Sequence, residues 1–314
     1  MRVLVTGASG FVGTAMLRRL LQEPGCEVRA AVRRADVPLP ARVVRAIVPV
    51  VGPDTQWSEA LAGCDAVVHL AARVHVMDDQ AADPLSEFRR TNVQGTLALA
   101  QQAARAGVRR FVHVSSIKVN GEATRAGQAF GPDDPPVPQD AYAVSKLEAE
   151  TGLRRLDAGM EIVVIRPPLV YGDGVQGNFK SLMRAVSRGL PLPLGAIHNR
   201  RSFVALENLV DFLFVCCRHP AAAHQTFLVG DDYDLSTTEL IRRLANAMDR
   251  PVRLLPVPMA WLTGAAAVFG RSATVQRLCA NLQLDISKSR TLLAWTPPQS
   301  IDDALRSAAN GFRV

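Results

Sequence analysis

Tyr142 and Lys146 stand four residues apart in a stretch, Ala141–Leu156, that reads as a helix with Asp140 as its N-cap. Their side chains therefore leave one face and can meet at a single reacting centre. A phenol titrates near pH ~10 in water. A neighbouring ammonium stabilises the phenolate and brings the group toward acid/base work at neutral pH, while Lys146 can also hydrogen-bond a ribose. The same spacing arises by chance from a core tyrosine and a solvent-facing lysine, so its weight comes from the company it keeps. Upstream, an apolar run Arg109–Val114 leads into Ser115-Ser116. At the start of the chain, Val3–Thr6 leads into Gly7, Gly10 and Gly13.

A strand that passes through three glycines into a helical sequence, Thr14–Gln22, is a phosphate-binding turn. The first glycine permits a left-handed turn, the second admits a pyrophosphate to the backbone, and the third lets helix pack on strand. The pyrophosphate would sit at the helix N-terminus, over Phe11, Val12 and Gly13. Glu27–Val32 reads as the second strand. It ends at Arg33-Arg34, where an acidic residue would select NAD by its ribose hydroxyl; a guanidinium fork suits a 2′-phosphate instead, so NADP(H) is favoured and NAD(H) stays open. Arg42–Val48 and Asp65–Leu70 follow as strands, and small residues at Leu70, Ala71 and Ala72 leave room for a cofactor. Pro84–Ala106 reads as one long helix carrying Asn92.

This βαβα alternation predicts an α/β, Rossmann-type doubly wound parallel sheet. Glu161–Ile165 is the next strand, closed by Arg166-Pro167-Pro168. Beyond it prolines accumulate and the rhythm weakens, as in a smaller, discontinuous substrate-binding domain on the C-terminal side. Ser202–Ala205 and Gln225–Val229 look like short strands returning to the main sheet, with a helix Glu207–Arg218 between them. The expected division is residues 1–166 plus about 202–229 for the dinucleotide-binding domain, and about 167–201 plus 230–314 for the substrate-binding domain.

The 314 residues carry a net charge of +7, with 48% hydrophobic and 21% charged residues. The cations are dispersed and poor in aromatic neighbours, which favours anionic small molecules over nucleic acid. Five cysteines without metal-ligand spacing suit reduced, buried thiols and no metal site. The start of the chain lacks a secretion-signal pattern, so the cytoplasm is expected. Pro256–Phe269 is too short to span a bilayer and reads as a core helix, with an interfacial helix as the alternative.

Taken together, Thr6–Gly13, His69–Ala72, Asn92–Thr96, Ser115–Gly121, Tyr142–Lys146, Arg166–Gly172 and Asn199–Phe203 resemble the extended short-chain dehydrogenase/reductase superfamily, and within it the nucleotide-sugar epimerase/dehydratase family. By position, the resemblance implies Ser116 as the active-site hydroxyl, Tyr142 as acid/base and Lys146 as the ribose-holding residue that tunes it, with Pro167 beside the cofactor. It implies that Asn178 and Arg201 bind the diphosphate of a UDP-sugar, or less readily a dTDP-sugar, and that the chain is a homodimer. The plain alternatives are a helix cap before Phe179–Arg188 for Asn178 and a rim ion pair for Arg201. Where the family's dehydratases carry an acidic pair, this chain has Ile117 and Lys118, which argues against dehydration; Lys118 would bind a substrate phosphate, polarise a carbonyl or point to solvent.

Two reactions remain. The first is NADP(H)-dependent reduction of a 4-keto sugar, as in the resembling reductases that make UDP-N-acetyl-quinovosamine-type sugars for surface polysaccharides. The second is NAD-dependent 4-epimerisation. A third expectation, a cofactor-binding sensor or assembly factor, fits poorly with a chain that keeps the Tyr/Lys pair.

Overall fold

The computed structural model describes residues 1–74, 83–156, 159–268, 275 and 278–312. Seven parallel strands form the central sheet: β1 (Arg2–Thr6), β2 (Glu27–Val32), β3 (Val43–Ile47), β4 (Ala66–His69), β5 (Arg110–Val114), β6 (Glu161–Arg166) and β9 (Thr226–Leu228), in the order β3-β2-β1-β4-β5-β6-β9. The strand order reverses between β1 and β4, and in such sheets the crevice for a ligand opens there, at the carboxyl ends of the strands.

Side chains alternate across β1. Val3 and Val5 pack with helices α1 (Phe11–Leu21) and α7 (Leu206–Arg218) on one face. Leu4 packs with α2 (Ser58–Leu61), α4 (Thr96–Arg105) and α5 (Ala141–Arg154) on the other. Both faces are covered, which explains the near-continuous apolar strands. The doubly wound expectation holds.

A second core forms beyond β6. Strands β7 (Leu169–Tyr171) and β8 (Phe203–Ala205) pair in parallel with each other, and Tyr171, Phe179, Phe203, Ile241 and Leu305 pack around them. This core is completed by helices α6 (Gly177–Ser187), α8 (Thr237–Ala247) and the segment Ile301–Asn310. The run Ser202–Ala205 therefore does not return to the main sheet as expected; only Thr226–Leu228 does. Pro167 and Pro168 lack amide donors, so the chain leaves the sheet at this point and β7 finds a partner outside it.

The long helix expected over Pro84–Ala106 is in three parts: α3 (Pro84–Phe88), wide π-type turns over Arg89–Gly95, and α4. A Cβ on Gly95 would lie 2.9 Å from the Val51 side chain and 3.0 Å from the Gly52 amide, so the widened turns bring backbone against backbone. In Pro256–Phe269 the helix α9 spans Met259–Val268, and Trp261 is 75% exposed, against the core expectation; Phe269 lies outside the described residues. No helix among the described residues is long and apolar enough to cross a membrane. All five cysteines are buried and free, and among the described residues no group of acidic, His or Cys side chains could hold a metal.

Candidate active site

The glycine turn is built to close tolerances. Gly7 has φ +65°, and a Cβ there would lie 2.8 Å from the Ala71 amide nitrogen and 2.9 Å from the Leu70 carbonyl carbon. A Cβ on Gly13 would lie 2.1 Å from the Gly7 carbonyl oxygen. Gly10 caps α1 without a side-chain hydrogen bond, and the first turn carries no acidic residue. Phe11, Val12 and Gly13 thus present first-turn amides with no side-chain cap, a cradle that fits a dinucleotide pyrophosphate.

The cradle is tied to the end of β4 through buried polar bonds. Thr6 Oγ1 contacts His69 Nδ1 at 2.7 Å and accepts from the Ala71 amide at 3.2 Å. His69 Nε2 meets Thr96 Oγ1 at 2.9 Å. Burial, and then the nearby Lys146 ammonium, push the His69 pKa down to about 3, so the imidazole is neutral. Leu70, Ala71 and Ala72 are half-buried beside Gly7, where small residues were expected.

The Tyr142 helix is positioned by its cap and by a buried ion pair. Asp140 accepts from the Ala143 amide at 2.7 Å, the N-cap that the sequence anticipates. One turn beyond Lys146 stands Glu150, fully buried. It accepts two bonds from Arg166, at 2.9 and 2.6 Å, and one from Ser115 Oγ at 2.6 Å, which ties α5 to the ends of β5 and β6. Arg154 adds a fourth donor at 3.0 Å. Ser115 is thereby committed to structure, while among the described residues Ser116 Oγ accepts only the Lys118 amide, at 3.3 Å. Asn92 links the Arg73 backbone to Ser145 Oγ, which in turn bonds the Tyr142 carbonyl.

Two further bonds bracket Ser116 against Tyr142. Lys146 Nζ donates to the Val114 carbonyl at 2.6 Å, two residues before Ser116. Lys118 Nζ, two residues after it, bonds Asp140 at 2.5 Å and Glu122 at 3.0 Å. The serine and the phenol are thus held between the same pair of cross-links.

The electrostatics differ from the expectation that Lys146 lowers the phenol. Burial, and secondarily Asp140, push Tyr142 up to about 12, and burial brings Lys146 down to about 8. Lys146 donates one of its three N–H bonds to the Val114 carbonyl, and desolvation dominates at the phenol. The Tyr142 ring packs edge-on to Phe88 at 6.1 Å.

Other expected residues are placed as follows. Arg33 and Arg34 are both exposed, and Arg34 pairs with Asp36 at 3.1 Å. Pro167 is buried, and its carbonyl accepts the Ile117 amide at 3.0 Å, which fastens the segment after Ser116 to the end of β6. Lys118 neither points freely to solvent nor offers an unpaired charge, since two carboxylates hold it. Arg201 is half-buried, its Nη1 donating to the Ala280 carbonyl at 3.0 Å, and burial lowers its pKa. Asn178 lies exposed in the first turn of α6; the capping position is Gln176, so the helix-cap alternative fails. Asn178 makes no hydrogen bond to the other candidate residues among the described residues.

Sequence reasoning passed over Glu150 as a site-building residue. Its signal was a carboxylate in line with Tyr142 and Lys146 at successive four-residue steps. What the spacing does not show is the arginine it meets.

A family profile described as the NAD dependent epimerase/dehydratase family matches residues 3–230. A UDP-glucose 4-epimerase from Vibrio cholerae is 45% identical over 99% of this chain and 95% of its own length. The chain belongs to the NAD dependent epimerase/dehydratase family. A second relative, an N-acetyl-α-D-glucosaminyl-diphospho-ditrans,octacis-undecaprenol 4-epimerase from Escherichia coli O157:H7, is 27% identical over 97% of this chain and 94% of its own. The family fold recurs in a Bacillus cereus UDP-glucuronic acid 4-epimerase solved with NAD, with a TM-score of 0.79, 20% identity, and coverage of 99% of this chain and 98% of that one. The structure of MoeE5 with UDP-glucuronic acid and NAD aligns with a TM-score of 0.76 at 26% identity, over 99% and 98% of the two chains.

Proposed function

We propose that this epimerase/dehydratase family member interconverts the C4 epimers of a UDP-linked hexose with a nicotinamide dinucleotide held in the glycine cradle. The observation that carries this reading is the 45% identity, end to end, with a UDP-glucose 4-epimerase. The MoeE5 structure holds both UDP-glucuronic acid and NAD, which supports the same pairing of ligands.

In this reading Gly7, Gly10, Phe11, Val12 and Gly13 hold the pyrophosphate, with Leu70, Ala71, Ala72 and Pro167 along the cofactor. The cofactor supplies a hydride acceptor at one step and a hydride donor at the next. Tyr142 takes the C4 hydroxyl proton and returns it, and Ser116 hydrogen-bonds the C4 oxygen. Lys146, at the strand end beside them, would hold the ribose of the bound cofactor, and its ammonium would counter the burial that raises the phenol. Arg201, and Asn178 after a local adjustment, bind the diphosphate. Ile117 and Lys118 leave no unpaired acid for dehydration. The exposure of Arg34 and its pairing with Asp36 weaken the case for a 2′-phosphate and favour NAD.

Reduction of a 4-keto sugar by NADPH is the second reading. It is supported by Arg33 at the end of β2, which forms no ion pair among the described residues.

Purified chain offered UDP-glucose and NAD is expected to form UDP-galactose, and Tyr142→Phe to lose at least about a hundredfold in kcat while still binding NAD. No interconversion of UDP-glucose or UDP-N-acetylglucosamine, together with NADPH oxidation by a UDP-4-keto sugar, would decide for the reductase. A Tyr142→Phe chain that turns over normally would remove the phenol from the chemistry altogether.

A further inference from the structure

The cluster Lys118, Glu122 and Asp140 is not accounted for by the epimerase reading, yet it adjoins Tyr142. Asp140 serves two elements at once. One carboxylate oxygen caps α5 through the Ala143 amide at 2.7 Å, and the other takes Lys118 Nζ at 2.5 Å. Lys118 reaches Glu122 at 3.0 Å with the same ammonium, and its side chain is 30% exposed. Burial opposes this charge, but the bonds to Asp140 and Glu122 outweigh it and hold the ammonium above its ordinary pKa.

We propose that Lys118 is a positioning residue for the reaction: by bridging Glu122 and Asp140 it locks the first turn of α5, which carries Tyr142, against the Ser116 segment and neutralises the carboxylate that caps that turn. This rests on the reading of Tyr142 as acid/base. Two geometric facts support it. The segment after Ser116 packs directly on α5. Asp140 is also fixed by its capping role, so it cannot turn away if Lys118 is removed.

Asp140, which caps α5, is the charged group that acts on the phenol, and it is tied through Lys118 to Glu122, which lies near Arg201; from α3 the uncharged ring of Phe88 packs on the phenol ring, with Arg73 5.7 Å from the Phe88 ring. After burial, it is the Asp140 charge that raises the phenol, and Lys118 is a cation bonded directly to that carboxylate.

The test uses Lys118→Met, Lys118→Arg and Asp140→Asn. Asparagine still caps a helix, so the last variant removes charge and keeps the turn. With UDP-glucose and NAD, the rise of kcat with pH is expected to move to higher pH in Lys118→Met by roughly one unit, a tenfold change in phenolate fraction at fixed pH. Lys118→Arg should stay near the wild-type profile. Asp140→Asn should move the profile to lower pH. With only three tyrosines in the chain, an ultraviolet difference titration against Tyr142→Phe reads the phenol directly and needs no turnover. A lower midpoint in Asp140→Asn supports the proposal even if the sugar is wrong. A uniform loss of kcat with an unmoved pH profile, or an unmoved titration midpoint in Asp140→Asn, overturns it. Should Lys118→Met fail to fold, as judged by circular dichroism, Asp140→Asn decides alone. Failure of the epimerase reading appears separately, as a wild-type chain without turnover on UDP-glucose.

Discussion

His69 shows how a residue that looks chemical is consumed by structure. It ends β4 beside the cofactor cradle, yet both ring nitrogens are engaged with Thr6 and Thr96 and the ring stacks on His113 at 5.7 Å. With its pKa near 3 in the folded chain against 6.5 for an ordinary histidine, the unfolded chain binds a proton across that window and the native one does not. The sign follows: the contribution is intact above pH 6.5 and is lost as pH falls toward 3, at ~1.4 kcal/mol per unit. His113, buried and without a hydrogen-bond partner at either nitrogen among the described residues, works in the same direction. Urea midpoints should therefore fall on mild acidification, well before the carboxylates titrate. Midpoints that stay level between about pH 7 and about pH 5 would show that the histidines are not held neutral. At this scale, the Glu150–Arg166 pair is the contrasting case: a buried charge fully satisfied by four donors, whose value lies in holding α5, β5 and β6 in one geometry.

Among the elements, the turn between β1 and α1 has the least freedom. Gly25 offers an internal control, since it too has positive φ, +72°, but a Cβ there meets nothing within 4 Å. Gly25→Ala should cost only the left-handed backbone penalty, about 1 kcal/mol. Gly7→Ala adds a clash with the Ala71 backbone, which cannot swing aside, so its cost should be at least about twice that and NAD affinity should fall tenfold or more. Chemical denaturation with calorimetric NAD titration checks both. Equal costs for the two variants would mean that the approach of the β4 end is not tight. The site helix was legible in sequence, down to the Asp140 cap, because capping and i,i+4 spacing are local properties. The wide turns of Arg89–Gly95 were not, because the contact of Gly95 with Gly52 that accompanies them is made by distant chain.

Across the whole molecule, the segment around Trp295 is stapled to the first helix through Asp211. Trp295 packs on Phe212 at 4.7 Å, and its Nε1 donates to Asp211, which also holds Arg19 of α1. Phe11, at the cradle itself, packs against both the sheet core and the second core around Tyr171. Trp295→Ala leaves a large hole in this junction and an acceptor short of one donor, and should cost about 3–5 kcal/mol. An unfolding free energy within about 1 kcal/mol of wild type would show that the segment around Trp295 merely drapes over the sheet.

The sequence by itself determined the strand and helix alternation, the glycine turn and the shared face of Tyr142 and Lys146, since each depends on residues a few positions apart. Tertiary structure decided what those groups become. Lys146 donates to the Val114 carbonyl, 32 residues away, and burial governs the phenol. Lys118 meets Asp140 across 22 residues and loses its free charge. Ser202–Ala205 was expected to return to the main sheet, but Phe203–Ala205 pairs with β7 outside it. Charge, protonation and strand partnership are set by which distant groups burial forces together, and no local pattern in the chain carries that information.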